Sequence, residues 1–328
     1  MKHLDNIEIK TLQQAIQHFS DEQVCVEAVS EMRWPDGKPT CPKCGEQDHY
    51  YLSARLIWKC KACGKQFSVK VGTMMEDSPI PLSKWLLAMW MLGNCRNGVS
   101  SYEIHRAIGV SQKAGWFMLQ RIRLAMRGED AVKIGGEGST CEADETVIGV
   151  KLKFMHPRRK REMGMAGSGG FQRNKTIVMG VLDRDAGKVR ASVIPFAGRD
   201  TMEAMVRKHV QPGTMMHTDA HVGYDHLNRY FSHEVINHME AYVRGQVHTN
   251  GIENFWSLLK RGLGGTYIAV EPFHLHRYVD EQAFRYNHRK NGDVKLSDGD
   301  RFRALLSQVA GKRLTWAEVT GKVGETAF

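Results

Sequence analysis

The chain has 328 residues, 42% of them hydrophobic, enough for two or three units with cores of their own. Its formal charge of +10 and isoelectric point near 9.2 point to a polyanionic partner, nucleic acid above all, held through phosphate contacts. The longest apolar run, Trp85 to Leu92, is far shorter than the ~20 residues that span a bilayer, and the first residues lack a signal-peptide pattern, so a soluble intracellular protein is predicted.

Residues 1–37 read as a helical lead-in, with a weak apolar period through Leu12, Ile16, Val24, Val26 and Val29 and a closing turn at Trp34-Pro35-Asp36-Gly37. A zinc ribbon follows over 38–72. Cys41-x-x-Cys44 and Cys60-x-x-Cys63 are each followed by glycine and separated by fifteen residues, a spacing that lets four thiolates converge on one zinc ion. The pairing of four of the seven cysteines in this way favours metal binding over a disulfide framework. Tyr50–Leu52, Leu56–Trp58 and Gln66–Val69 read as its strands. Such a site can serve only to fold a small module; Lys43, Arg55, Lys59, Lys61 and Lys65 add a basic surface suited to DNA.

Residues 79–130 are helical throughout. Ser83 opens an apolar helix, Ser100 and Glu103 give a capping-box spacing, Gly109-Val110-Ser111 makes a turn, and Gln112 to Arg127 forms a third helix with Arg121, Arg123 and Arg127 near its end. The pattern is that of a helix-turn-helix DNA-binding region or of a plain helical hairpin.

After a flexible break at Gly135–Gly138, strands are predicted at Thr140–Gly149, Lys175–Asp183 and Val189–Ile194, then a helix to His209 and a strand ending at Asp219. A short helix over Tyr224–Tyr230, a strand over His233–Asn237 and a helix from Asn250 complete an α/β, ribonuclease-H-like order with a mixed five-stranded sheet. In the last of these helices Ile252, Phe255, Trp256, Leu259 and Leu263 form one stripe and Asn250, Glu253, Ser257 and Lys260 another. Taken alone, Asn250 and Glu253 read as a helix cap, Asp219 as the cap of the next helix, and Glu142, Asp144 and Glu145 as exposed strand or edge charges. Taken together, Asp144, Asp219 and Glu253 occupy the three acidic places of that fold, where two Mg²⁺ (or Mn²⁺) ions held by carboxylates can drive phosphoryl displacement.

Asp144-Glu145-Thr146-x-x-Gly149, His217-Thr218-Asp219-Ala220, the stretch His248 to Arg261 and Tyr278-x-Asp280-Glu281-x-x-x-Arg285-Tyr286-Asn287-His288-Arg289 resemble the signatures of bacterial insertion-sequence transposases of the DDE type that carry a zinc ribbon. The resemblance spans roughly residues 15–320 and places the catalytic domain over 138–291, with 292–328 as a C-terminal tail. It implies Asp144 and Asp219 as metal ligands, Lys260 as a DNA contact, and either Glu253 or Asn250 as third ligand, Glu253 being favoured as the carboxylate. It also implies binding of terminal inverted repeats, end cleavage, joining of the 3′-hydroxyl to target DNA, a homodimer or higher multimer, and a bacterial, nucleoid-associated location. A DNA-binding regulator with an inactive domain, or a cellular nuclease of the same fold, are the alternatives. The basic stretch Lys151 to Arg161 reads as a solvated loop or a phosphate-gripping arm, and His217, His221, His226 and His248 are not expected to bind Mg²⁺, which prefers oxygen.

Overall fold

The computed structural model describes residues 9–128, 132–149, 158, 175–236 and 248–323. These belong to two compact units, one within Met1–Gly128 and His288–Thr326 and the other within Glu129–Asn287.

In the first unit the lead-in forms two helices. α1 (Leu12–His18) opens on a reciprocal cap between Thr11 and Gln14, and α2 (Glu22–Arg33) opens on the Asp21 side chain. The ribbon strands β1 (His49–Leu52), β2 (Ile57–Cys60) and β3 (Gln66–Phe67) pair antiparallel in that order. Trp58 stacks on Phe67 at 5.9 Å, and Trp34, just past α2, meets Trp58 edge-on at 5.4 Å. A module this small buries little apolar area alone; the lead-in supplies part of its core. α3 (Leu82–Asn94) buries Trp85, Leu86, Met89, Trp90 and Leu92. α4 (Ser101–Ile108) carries the expected Ser100–Glu103 box and ends on Gly109, whose φ of 63° lies in the left-handed region glycine favours, before α5 (Gln112–Met126).

The second unit is built on one sheet of β4 (Thr140–Ile148), β5 (Thr176–Asp183), β6 (Lys188–Ile194), β7 (Met215–Asp219) and β8 (Ser232–Ile236), in the order β6-β5-β4-β7-β8. β5 runs antiparallel to both β4 and β6, whereas β7 runs parallel to β4 and to β8. α6 (Arg199–His209) covers one face, where Met202, Met205 and Val206 pack on Cys141, Ala143, Met179, Val181 and Met216. α7 (Asn250–Gly262) and α8 (Leu275–Asn287) cover the other, where Ile252, Phe255, Trp256, Leu259, Leu275 and Val279 pack on Val178, Leu182 and Val189. This is the ribonuclease-H-like α/β fold. Strand period 2 turns Cys141 and Ala143 toward α6 and leaves Glu142 and Asp144 for the α7 side.

Two expectations are corrected. The helix expected over Tyr224–Tyr230 is a pair of 3-10 turns, Val222–Tyr224 and Leu227–Arg229; Gly223 is pressed so close to α6 that a Cβ there would stand 2.2 Å from the Met202 sulfur. The glycine break is a built turn, with Gly135 N donating to Asp183 and Gly136 N to Thr214 Oγ1, both at 2.9 Å. The C-terminal residues carry two further helices. α9 (Asp298–Leu306) places Phe302 against Phe19 and Trp90 at 5.4 and 5.5 Å, and α10 (Trp316–Val319) sets Trp316 against Trp116 and Phe117 of α5. The Lys151–Arg161 arm, apart from Arg158, lies outside the described residues.

Candidate active site

Asp144 stands within β4, directly opposite Gly180 of β5. A Cβ on Gly180 would lie 2.8 Å from the Trp256 ring. Because there is none, the indole lies across β5 and its Nε1–H donates to Asp144 Oδ2 at 2.9 Å. The parallel register runs from Thr140 opposite Met215 to Glu142 opposite His217; Asp144 and Asp219 each lie two residues beyond its last pair, and the Asp219 charge acts on Asp144. One Asp219 oxygen accepts from His221 N at 3.1 Å, the local turn bond a capping role would give it. Glu145 accepts from the buried Tyr224 hydroxyl at 2.8 Å and lies 3.9 Å from His221 Nε2. Burial, and then the charges of Glu145 and Asp219, push the Asp144 carboxyl up to about 7; burial also raises Glu145. Carboxylates crowded this way resist ionisation, and a multivalent cation is the partner that would discharge them.

α7 has the two predicted faces. Ile252, Phe255, Trp256 and Leu259 are buried, while Asn250, Glu253, Ser257 and Lys260 are exposed. Its start differs from the expected one. Thr249 occupies the cap position and Asn250 is the first helical residue, so the cap assigned to Asn250 is not formed. A local cap is unnecessary because Glu142, from β4, accepts the Ile252 amide at 2.8 Å. Glu253 Oε1 accepts from Thr249 Oγ1 at 3.1 Å. Trp256 brings the helix to Asp144 one turn after Glu253, and Lys260 follows on the exposed face.

In the other unit the sulfurs of Cys41, Cys44, Cys60 and Cys63 all lie within 4.8 Å of one another. The Cys41–Cys63 and Cys44–Cys60 separations are 3.7 and 3.6 Å, close to the ~3.8 Å between thiolates held tetrahedrally at ~2.3 Å from one zinc. Gly45 and Gly64, at φ 77° and 69°, make the knuckle turns behind each pair. Among the described residues this is the one group of three or more His, Cys, Asp or Glu ligands gathered so closely; Asp144, Asp219 and Glu253 do not form a second. Two of the three arginines expected at the basic end of α5 are buried, whereas Arg127 is exposed. Arg121 is buried, donating to Leu314 O at 2.9 Å and Glu76 O at 2.8 Å, and Arg123 is buried as well.

Residues 136–287 match the ISXO2-like transposase domain and residues 20–66 the transposase zinc-ribbon domain. A transposase-like protein of Haemophilus influenzae is 32% identical over 109 residues, 33% of this chain and 85% of that one. The chain belongs to the DDE-type insertion-sequence transposases. A protein of the transposable element ISH50 of Halobacterium salinarum is 29% identical over 257 residues, 76% of this chain and 85% of its own. The transposase therefore carries a DNA-directed nuclease domain that depends on divalent metal, and a structural zinc site in its ribbon. Its oxygen donors suit such a cation: the Asp144, Glu145 and Asp219 carboxylates offer hard oxygens, and a divalent charge would relieve the crowding at Asp144 and Glu145. No helix among the described residues is long and apolar enough to cross a membrane.

Sequence reasoning did not find Glu142, Gly180, Trp256 or Tyr224 as parts of the site. Glu142 and Trp256 read as a strand charge and a core aromatic. Their partners lie about 110 residues away in the chain, at Ile252 and Asp144, so only the fold discloses the pairing.

Proposed function

We propose that this transposase binds the terminal inverted repeats of its element, cleaves the phosphodiester at the element ends and joins the freed 3′-hydroxyl to target DNA. Asp144 and Asp219 are the metal ligands, with Glu253 as third ligand and Asn250 as its rival. Two Mg²⁺ ions, when bound, supply activation of the attacking oxygen and stabilisation of the leaving one. The rest falls to the protein. Trp256 fixes the Asp144 carboxylate through Oδ2, the Tyr224 hydroxyl holds Glu145, and Lys260, exposed on the helix that carries Glu253, meets the DNA phosphates near the cleaved bond. In the first step water attacks phosphorus and the 3′-oxygen leaves. In the second that 3′-hydroxyl attacks a target phosphodiester, releasing a target 3′-oxygen, so no covalent bond to the protein forms.

End recognition is assigned to the ribbon, over 38–72, and to the helix-turn-helix-like region over 79–130. Two copies bridge two ends on nucleoid DNA, with 138–291 as the catalytic part. The observation carrying the reading is the buried, indole-anchored Asp144 beside Asp219, its carboxyl pushed up by burial and like charge. Element-end DNA incubated with Mg²⁺ should be cut by the wild type and left whole by Asp144→Ala and Asp219→Ala. Cleavage by either variant at the wild-type rate would overturn the assignment. Comparing Glu253→Gln with Asn250→Ala decides the third ligand, since only the true one abolishes cleavage.

A further inference from the structure

We propose that Glu142, with Arg184 and His248, is a positioning clamp that sets where the third metal ligand stands relative to Asp144; this rests on the metal-dependent site proposed above. Glu142 lies two residues before Asp144 on β4, on the same face, and is 1% exposed. Its Oε1 accepts from Arg184 Nε at 2.6 Å and lies 3.4 Å from His248 Nδ1, while its Oε2 accepts from Ile252 N at 2.8 Å. Arg184 Nη2 also reaches the His248 backbone oxygen and lies 2.8 Å from His248 Nδ1. The entry to α7 is thereby tied at two points, His248 through Arg184 and Ile252 directly. Asn250 and Glu253, the rivals for third ligand, stand inside and beside that span.

Both oxygens of Glu142 are engaged by protein groups, so its role is to hold rather than to bind a cation. An anion at a helix N-terminus satisfies amides that otherwise need a local cap, and here Thr249 provides no such cap. The fit is close. A Cβ on Gly251 would stand 2.9 Å from Glu142 Oε2 and 2.5 Å from Leu182 Cδ2. One strand thus carries a ligand at Asp144 and, two residues earlier, the anchor of the helix that carries the other. Misplacing that helix by a fraction of a turn would separate the ligands.

The test uses the full, zinc-loaded chain and Mn²⁺ as probe, with bound and free Mn²⁺ separated by electron paramagnetic resonance. Glu142→Gln keeps an oxygen but loses the charge, Arg184→Lys keeps the charge but loses the fork, and Gly251→Ala leaves every clamp group present while intruding on it. Glu142→Gln and Gly251→Ala should weaken Mn²⁺ binding by roughly 10–100-fold, the usual cost of losing the support of a ligand, and Arg184→Lys by less, with circular dichroism unchanged. A purely structural role would lower the fraction of folded protein without moving the affinity of what remains. Asp144→Asn, which should remove the Mn²⁺ site, separates the two ideas. If wild type shows no Mn²⁺ site that Asp144→Asn removes, the metal-site reading fails and the clamp with it. If the site is there and the folded variants bind within about twofold of wild type, the clamp alone is overturned. Should Glu142→Gln fail to fold, Gly251→Ala and Arg184→Lys decide between the same two outcomes.

Discussion

Asp144 is held against its own charge. Folded, its carboxyl ionises at about 7; unfolded, it does so near ~3.9. Between those values the folded state keeps a proton that the unfolded state has lost, so stability falls as pH rises through that window, by roughly 2–4 kcal/mol in metal-free protein. Asp144→Asn removes the slope. Denaturant midpoints from pH 4 to 8 without divalent cation should decline for the wild type more steeply than for the variant, which should be the more stable at pH 7.5 although inactive; parallel curves would show that Asp144 ionises normally. Gly180 opposite it has a separate test. Since a Cβ would lie 2.8 Å from the Trp256 ring, Gly180→Ala should cost about 1–3 kcal/mol by overpacking and shift the indole off Asp144, read by tryptophan fluorescence and cleavage rate together.

At the level of elements, legibility in the sequence followed the range of the interaction. The two cysteine knuckles, the Ser100–Glu103 box, the five strands and the two faces of α7 rest on spacings of a few residues, and they stand where those spacings placed them. What escaped rests on distant partners: the Glu142 cap on α7, the burial of Arg121 and Arg123, and the packing of Phe302 on Phe19 and Trp90. The placement of Asp144 and Asp219 was legible for a different reason, since strand order and the parallel β4–β7 register set each of them two residues beyond the last pair. The ribbon supplies the prediction at this scale. Its core is little more than Trp34, Trp58 and Phe67, too small to stand without its metal. Chelating the zinc, or Cys60→Ala, should therefore release the near-ultraviolet signal of these rings while most far-ultraviolet helical signal persists. Retention of that aromatic signal after complete zinc loss would show a ribbon that folds on packing alone.

For the whole molecule the governing quantity is the +10 charge. It gives the transposase attraction for any DNA, so affinity for element ends must be separated from this background by its salt dependence. Ends that differ from other DNA through base contacts should keep their preference as salt rises, while total affinity falls with a slope of about −0.9 per phosphate neutralised. Sedimentation with end DNA should also show a species of at least two copies if the transposase bridges ends; a strict one-to-one complex at saturating protein would exclude that bridge. The ribbon lysines localise the charge argument. Lys59 and Lys65 are exposed on β2 and beside β3, and if they meet phosphates each Lys→Ala change should lower the magnitude of the logarithmic salt slope by about 1 and weaken specific and non-specific DNA alike. An unchanged slope in the double variant would move the phosphate contacts off this face, leaving the exposed lysines to solvent and the ribbon to its structural task.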